Sequence, residues 1–120
     1  MSFQPTTSRL AVALAAALCL SPAYATNITR EFSSSWYDPS RSGHGFILEV
    51  IDSTQGKSLM AYWFTYDQQG RQIWMFGSGP VNGDSAQVTA YQASGGSFDN
   101  QFNTAAVQVA PWGTLTFRFE

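Results

Sequence analysis

His44 is the only histidine of the chain, and it sits between Gly43 and Gly45, where the backbone lets a ligand come close. A metal centre needs three or four nitrogen, sulfur or oxygen donors. With one histidine and one cysteine, Cys19, only a carboxylate site is left, and neither a D-x-[DN]-x-[DN]-G loop nor an H-E-x-x-H motif occurs. No metal and no cofactor is therefore expected. Nucleophilic catalysis needs an activated serine and an oriented base. Asp38, Asp52 and Asp67 are available to orient His44, but the G-x-S-x-G elbow is missing. Gly77-Ser78-Gly79-Pro80 reads instead as the turn that ends a strand. Glu49 is the only acid with apolar neighbours on both sides, Leu48 and Val50, and it shares a face with Ile47 and Ile51. Partial burial would raise its pKa, as the acid of a glycosidase requires. The commoner role is an ion pair at a sheet edge, here with Arg41 or Arg71. A hydrolase using His44 or Glu49 ranks behind the two readings below.

The aromatic residues offer more. They make up 15% of the chain, and charged residues only 12%, half the usual share of about a quarter. Trp36, Tyr37, Tyr62, Trp63, Tyr66, Trp74 and Trp112 exceed what a small core obviously needs. Flat rings with polar tips suit sugars, peptides and partner surfaces, because they give contact area with few rotamers to lose. The candidate binding set is Trp36, Tyr37, His44, Trp63, Tyr66 and Trp74, and the expected ligand is a saccharide, a peptide or another envelope component. Six Lys and Arg against eight Asp and Glu give no basic excess, which excludes nucleic acid as a partner. Few charges and many rings equally exclude a disordered tail.

Short strands must position these side chains. Strand signals run over 46–52, 59–67, 71–78, 86–93, 105–110 and 113–120, separated by Gly, Asn, Asp and Ser clusters at 53–58, 79–85 and 94–104. This spacing predicts an all-β domain, an antiparallel meander forming a small sandwich or open barrel over 45–120. Residues 26–44 form a polar N-terminal segment with a Trp36-Tyr37 anchor. Asp67-Gln68-Gln69-Gly70-Arg71 fits a three-residue hairpin loop with Gly70 left-handed. That register sets Phe64 opposite Trp74 and Trp63 opposite Met75. One face then carries Tyr62, Phe64, Tyr66, Trp74 and Phe76, and the other Ala61, Trp63, Thr65, Ile73 and Met75. Both faces are apolar, so the hairpin is covered on both sides or one face is a binding surface. In the last strand Leu115, Phe117 and Phe119 alternate with Thr114, Thr116 and Arg118. It stops in mid-alternation, which points to a truncated C-terminus or to a partner that supplies the next strand. The second functional reading follows from this: an assembly module that pairs its open terminal strand with another chain.

The first 25 residues read as a cleaved secretory signal peptide. Arg9 precedes an apolar run of 11 residues, Leu10 to Leu20, and Ala23-Tyr24-Ala25 is a small-x-small cleavage site. A membrane span would need about 20 apolar residues, so no stable span remains after cleavage. Clipping there leaves 95 residues with five basic and eight acidic side chains and no cysteine. Small exported domains usually lean on disulfides. This one is expected to be held together by buried aromatic rings instead, Trp63 and Trp74 among them.

Two stretches carry a resemblance. Trp36-Tyr37-Asp38-Pro39-Ser40-Arg41-Ser42-Gly43-His44-Gly45 and Trp63-Phe64-Thr65-Tyr66-Asp67-Gln68-Gln69-Gly70-Arg71-Gln72-Ile73-Trp74 resemble a W-[WY]-[ND]-P-x-x-S-G-x-G, then W-[FY]-T-Y-D-x-x-G-x-x-x-W pattern. The pattern belongs to uncharacterised exported β-rich proteins of Gram-negative proteobacteria, and the likeness covers about residues 34–83. It implies a periplasmic or secreted location and a β fold, but no chemistry. Members of that family run on past a strand like 113–119.

Overall fold

The structure, a computed structural model, describes residues 25–120. Apart from Ala25, the segment 1–25 read as a signal peptide, with its Cys19, lies outside the described residues. Six strands follow one another: β1 (Ser34–Trp36), β2 (Gly45–Ser53), β3 (Gly56–Tyr66), β4 (Gln72–Asn82), β5 (Ser85–Ser94) and β6 (Gln108–Arg118). They form one antiparallel sheet in the order β1-β2-β3-β4-β5-β6, and β1 and β6 are left as its edges. The sheet is an open meander, as the strand spacing predicts.

The β3–β4 hairpin adopts the register read from the sequence, with Tyr66 opposite Gln72, Phe64 opposite Trp74 and Trp63 opposite Met75. Gly70 has φ +77°, and the Asp67 N–H donates to the Arg71 carbonyl at 2.9 Å. The Asp67 carboxylate also accepts from the backbone N–H groups of Gln69 and Arg71 and from Arg71 Nε, at 2.9, 2.9 and 2.7 Å. The Arg71 backbone N–H, followed by its guanidinium, holds the Asp67 carboxyl below the ordinary value of 3.8. A carboxyl depressed by folding stabilises the folded hairpin above its unfolded pKa. That contribution is lost as pH falls below 3.8 through the folded value. An NMR titration should therefore place the Asp67 midpoint below 3.8, with the Gln69 and Arg71 amides moving in step. In Asp67→Asn those amides should not titrate. A midpoint at or above the ordinary value would contradict the turn geometry.

Three expectations need correction. First, the segments 105–110 and 113–120 are not two strands. Thr104–Ala106 is a 3₁₀ turn, and β6 runs unbroken through Pro111 and Gly113. A β-bulge between Ala90 and Tyr91 accommodates Trp112 as the extra residue, and a proline is tolerated on such an edge strand. The sixth strand is instead the three-residue β1, too short to leave a period in the sequence. Second, Gly77-Ser78-Gly79-Pro80 does not end a strand, because β4 continues to Asn82. Gly77 and Gly79 face the interior, and a Cβ on either would overlap the carbonyl oxygens of Thr89 and Gln87. Glycine here lets β5 fold tightly over β4 and turns a flat sheet into a curled one.

Third, the buried core is aliphatic. Ile28, Leu48, Val50, Leu59, Ala61, Met75, Ala86, Val88 and Ala90 fill it, and no aromatic ring among the described residues is fully buried. Curling turns one face of every strand inward, and the tight interior at β4–β5 admits only Ala, Gly and Val. The rings line the wider parts instead. Phe117 of β6 meets Phe46 of β2 edge-on at 5.3 Å, Phe46 stacks on Trp63 at 5.5 Å, and Trp63 meets Trp112 of β6 at 5.3 Å. This chain of rings spans the inside of the curl. The polar N-terminal segment takes part as well: Ile28 is 1% exposed. Its N–H donates to the Gly83 carbonyl, and its own carbonyl accepts from Lys57 Nζ, both at 2.8 Å. Ile28 thus straps the end of the curl where the β2–β3 and β4–β5 turns lie.

Candidate functional site

The sequence-derived binding set divides between two places. Trp36, Tyr37, His44 and Trp63 line one cleft of about 330 Å³, together with Asp38, Arg41, Gly45 and Phe46. Trp74 lies on the opposite, outer face of the hairpin, because its side chain alternates away from Trp63 and Thr65; Tyr66, at the end of the same outer row, reaches back to the edge of the site, packing against His44 and lining the cavity next to it.

The cleft lies at the unstrapped end, where the β1–β2 connection approaches the β3–β4 hairpin. Trp63 enters it from β3, fixed between Phe46 and Trp112. Trp36 is the last residue of β1, opposite Phe46. Its Nε1–H donates to the Phe32 carbonyl at 3.1 Å, and its ring meets Phe119 at 5.6 Å. Tyr37 is 75% exposed and closes the rim. Trp63 is also a wall of a second, adjoining cavity of about 440 Å³, which Thr65, Ile73, Met75, Gln92 and Trp112 help to line. That cavity exists because β4 pairs with β5 only from Phe76 onward, so the two long hairpins part above it.

The polar groups of the cleft come from the β1–β2 connection. Asp38 accepts from both the N–H and the hydroxyl of Ser40, at 2.8 and 2.7 Å. The Ser40 hydroxyl contributes most, and with Arg41 and His44 nearby it lowers the Asp38 pKa. Asp38 is therefore ionised at neutral pH. His44 Nδ1 is hydrogen-bonded to the Thr65 hydroxyl at 2.9 Å. Thr65 is the one buried polar side chain among the described residues, and His44 satisfies it. The imidazole packs edge-on against Tyr66 at 5.3 Å, where Gly43 leaves room for the phenol because a Cβ there would overlap it. The packing partner of His44 is thus Tyr66, although Trp36 shares the cleft with it.

Glu49 does not join this site. It points outward from β2, exposed, in the row of Met60 and Ser78. The expected ion pair with Arg41 or Arg71 is not formed, since Arg71 pairs with Asp67 and Asp52 pairs with Arg30 and Lys57. No carboxylate hydrogen-bonds the His44 ring among the described residues, and none of them forms a metal-binding cluster. No helix among them is long and apolar enough to cross a membrane.

The outer face answers the question left by the two-sided hairpin: the inner side is covered by the curl and the outer side is bare. Ile47, Tyr62, Phe76 and Tyr91 form one cross-strand row through β2, β3, β4 and β5. Phe64 and Trp74 sit beside it, and Trp74 lies 5.5 Å from Phe76.

Sequence reasoning missed Phe46 and Arg41 as parts of the cleft and Thr65 as the hydrogen-bond partner of His44. The register that places Phe46 beside Trp63 was the signal available, and it depends on the β2–β3 turn, whose Ser-Thr-Gln-Gly sequence does not fix a turn type. Comparison with known proteins gives no matching family model, no similar curated protein and no similar solved structure.

Proposed function

We propose that this chain is an exported, non-enzymatic binding domain that holds a saccharide in the aromatic cleft. The observation that carries the reading is the convergence of Trp36, Tyr37 and Trp63 with the polar groups of Asp38, Arg41 and His44 on one concave, open site. Apolar walls with a few placed polar groups are what small-molecule sites have in common. Rings offer their faces to the C–H side of a sugar, while Asp38 and Arg41 address its hydroxyls. Two features favour binding over hydrolysis. An ionised Asp38 has no proton to give a leaving group at neutral pH, and Glu49 stands on the other face of the sheet. The leader-like first 25 residues and the resemblance to exported proteobacterial proteins support the address. A peptide or another envelope component remains within the same reading.

Tryptophan fluorescence against a panel of soluble cell-wall oligosaccharides tests it. A saturable change is expected, weakened about tenfold by Tyr37→Ala, which corresponds to about 1.4 kcal/mol. Because Tyr37 is 75% exposed, that variant should melt with its parent. A spectrum unmoved by every sugar would refute the saccharide, and a hydrolytic activity abolished by His44→Ala would refute the non-enzymatic reading.

A further inference from the structure

Beside the cleft lies the second cavity, of about 440 Å³, within the size range of small-molecule sites, about 300–1,000 Å³. It forms where the inward rows of the sheet change character. Along β5 that row runs through buried Ala86, Val88 and Ala90 and then reaches Gln92. Along β3 it passes from Leu59 and Ala61 to Trp63 and Thr65. Gln92 stands one residue beyond the last β4–β5 pair, Phe76 with Tyr91. It is half-buried and lines the cavity, yet its carboxamide makes no hydrogen bond to another described residue. Two donors and an acceptor placed in this way are met by solvent or by a ligand.

The other walls narrow the chemistry of that ligand. Trp63 and Trp112, edge-on at 5.3 Å, supply flat apolar surface. Asp67 and Arg71 also line the cavity, but they bind each other at 2.7 Å, so the lining carries no unbalanced charge. Gln69 joins Gln92 in offering neutral donors and acceptors. Rings beside neutral polar groups suit an uncharged, hydroxyl-bearing molecule. The cleft next door has the same balance, with Asp38 and Arg41 of opposite charge.

One layer of side chains separates the two cavities. Trp63 belongs to both linings. Next to it His44, a wall of the cleft, is hydrogen-bonded at 2.9 Å to Thr65, a wall of the second cavity. Building on the saccharide reading of the cleft, we propose that the two cavities are consecutive subsites of one site, whose ligand is an uncharged oligosaccharide of at least two units. The first unit occupies the ring-rich cleft. The second crosses the partition at Trp63, lies against Trp112 and gives its hydroxyls to Gln92 and Gln69. Because it is tethered to the first, its contacts add affinity without a second loss of free translation.

The test is a length series followed by NMR: N-acetylglucosamine and its β-1,4-linked oligomers of two to four units, beside the matching glucose series. The Trp36 indole N–H reports on the cleft and the Gln92 side-chain amide on the second cavity. A single unit should move the Trp36 signal alone. Two units should bind about tenfold more tightly, the increment of a net hydrogen bond or two, and should move both signals with one midpoint. Gln92→Ala should cancel that gain while changing single-unit binding by no more than about twofold. Gln69→Ala, at the exposed loop tip, leaves the strands untouched and should also weaken only the longer sugars. Affinity that stays flat with length, or two signals with separate midpoints, would overturn the extended site and leave the sugar-binding cleft standing. Silence of both signals toward every length would instead refute the saccharide reading itself, and the extension with it.

Discussion

A Trp63→Ala variant is expected to melt about 10–20 °C below its parent, whereas Trp74→Ala should lose only a few degrees. Both tryptophans lie in the same hairpin, one residue pair apart in register, and the sequence weights them alike. The structure separates them. Trp63 faces inward and bridges Phe46 and Trp112, stacked on the first and edge-on to the second. Removing it cancels two ring pairs, each worth about 0.5–1.5 kcal/mol beyond area burial. It also leaves a void, and the lost burial, the void and the ring pairs together cost about 2–3 kcal/mol for a half-buried ring. For a domain of this size each kcal/mol moves Tm by about 4–8 °C. Trp74 is 49% exposed on the outer face, opposite Phe64, and its one ring pair among the described residues is with Phe76 at 5.5 Å. Its truncation should cost less than about 1 kcal/mol. Thermal denaturation by circular dichroism decides the matter, and equal melting of the two variants would contradict the inside–outside assignment. Trp63→Ala should also abolish any fluorescence response to sugar, since the cleft loses its inner wall.

The second large effect concerns a residue with no side chain. Gly77→Val should prevent folding at room temperature, or at least cost about 3 kcal/mol or more, because the new Cβ would overlap the Thr89 carbonyl oxygen. That oxygen is backbone and cannot rotate away. To make room, β5 must swing out from β4, and the ring contacts from β6 back to β2 must open with it. Gly113→Ala is the control: it lies in the same sheet, and a Cβ there meets nothing within 4 Å. It should stay within about 1 kcal/mol of the parent. Urea denaturation of both variants measures the difference, and a well-folded Gly77→Val would show that the close approach of β5 to β4 is not required.

Local features of the fold were legible in the sequence where short-range chemistry decides them. The Asp67–Arg71 loop, its register and the two-faced alternation of β3 and β4 follow from period-two patterning and one left-handed glycine. Features set by distant contacts were not legible. The strand β1 exists because Ser34–Trp36 finds β2, and three residues carry no period of their own. Gly77 and Gly79 look like punctuation until β5 is seen folding over them. Pro111 looks like a break until the bulge beside it absorbs the misfit. The same holds for the site. Trp36, Tyr37, His44 and Trp63 were named as one set with Tyr66 and Trp74, but whether a ring faces in or out depends on which way the whole sheet curls. A hairpin with two apolar faces does not encode that direction.

The strap at Ile28 has one more consequence. It ties the β2–β3 and β4–β5 turns together through one fully buried side chain and two hydrogen bonds on its own N–H and carbonyl, the second from the Lys57 side chain. Loss of this clasp would therefore free two turns at once, although Ile28 belongs to neither.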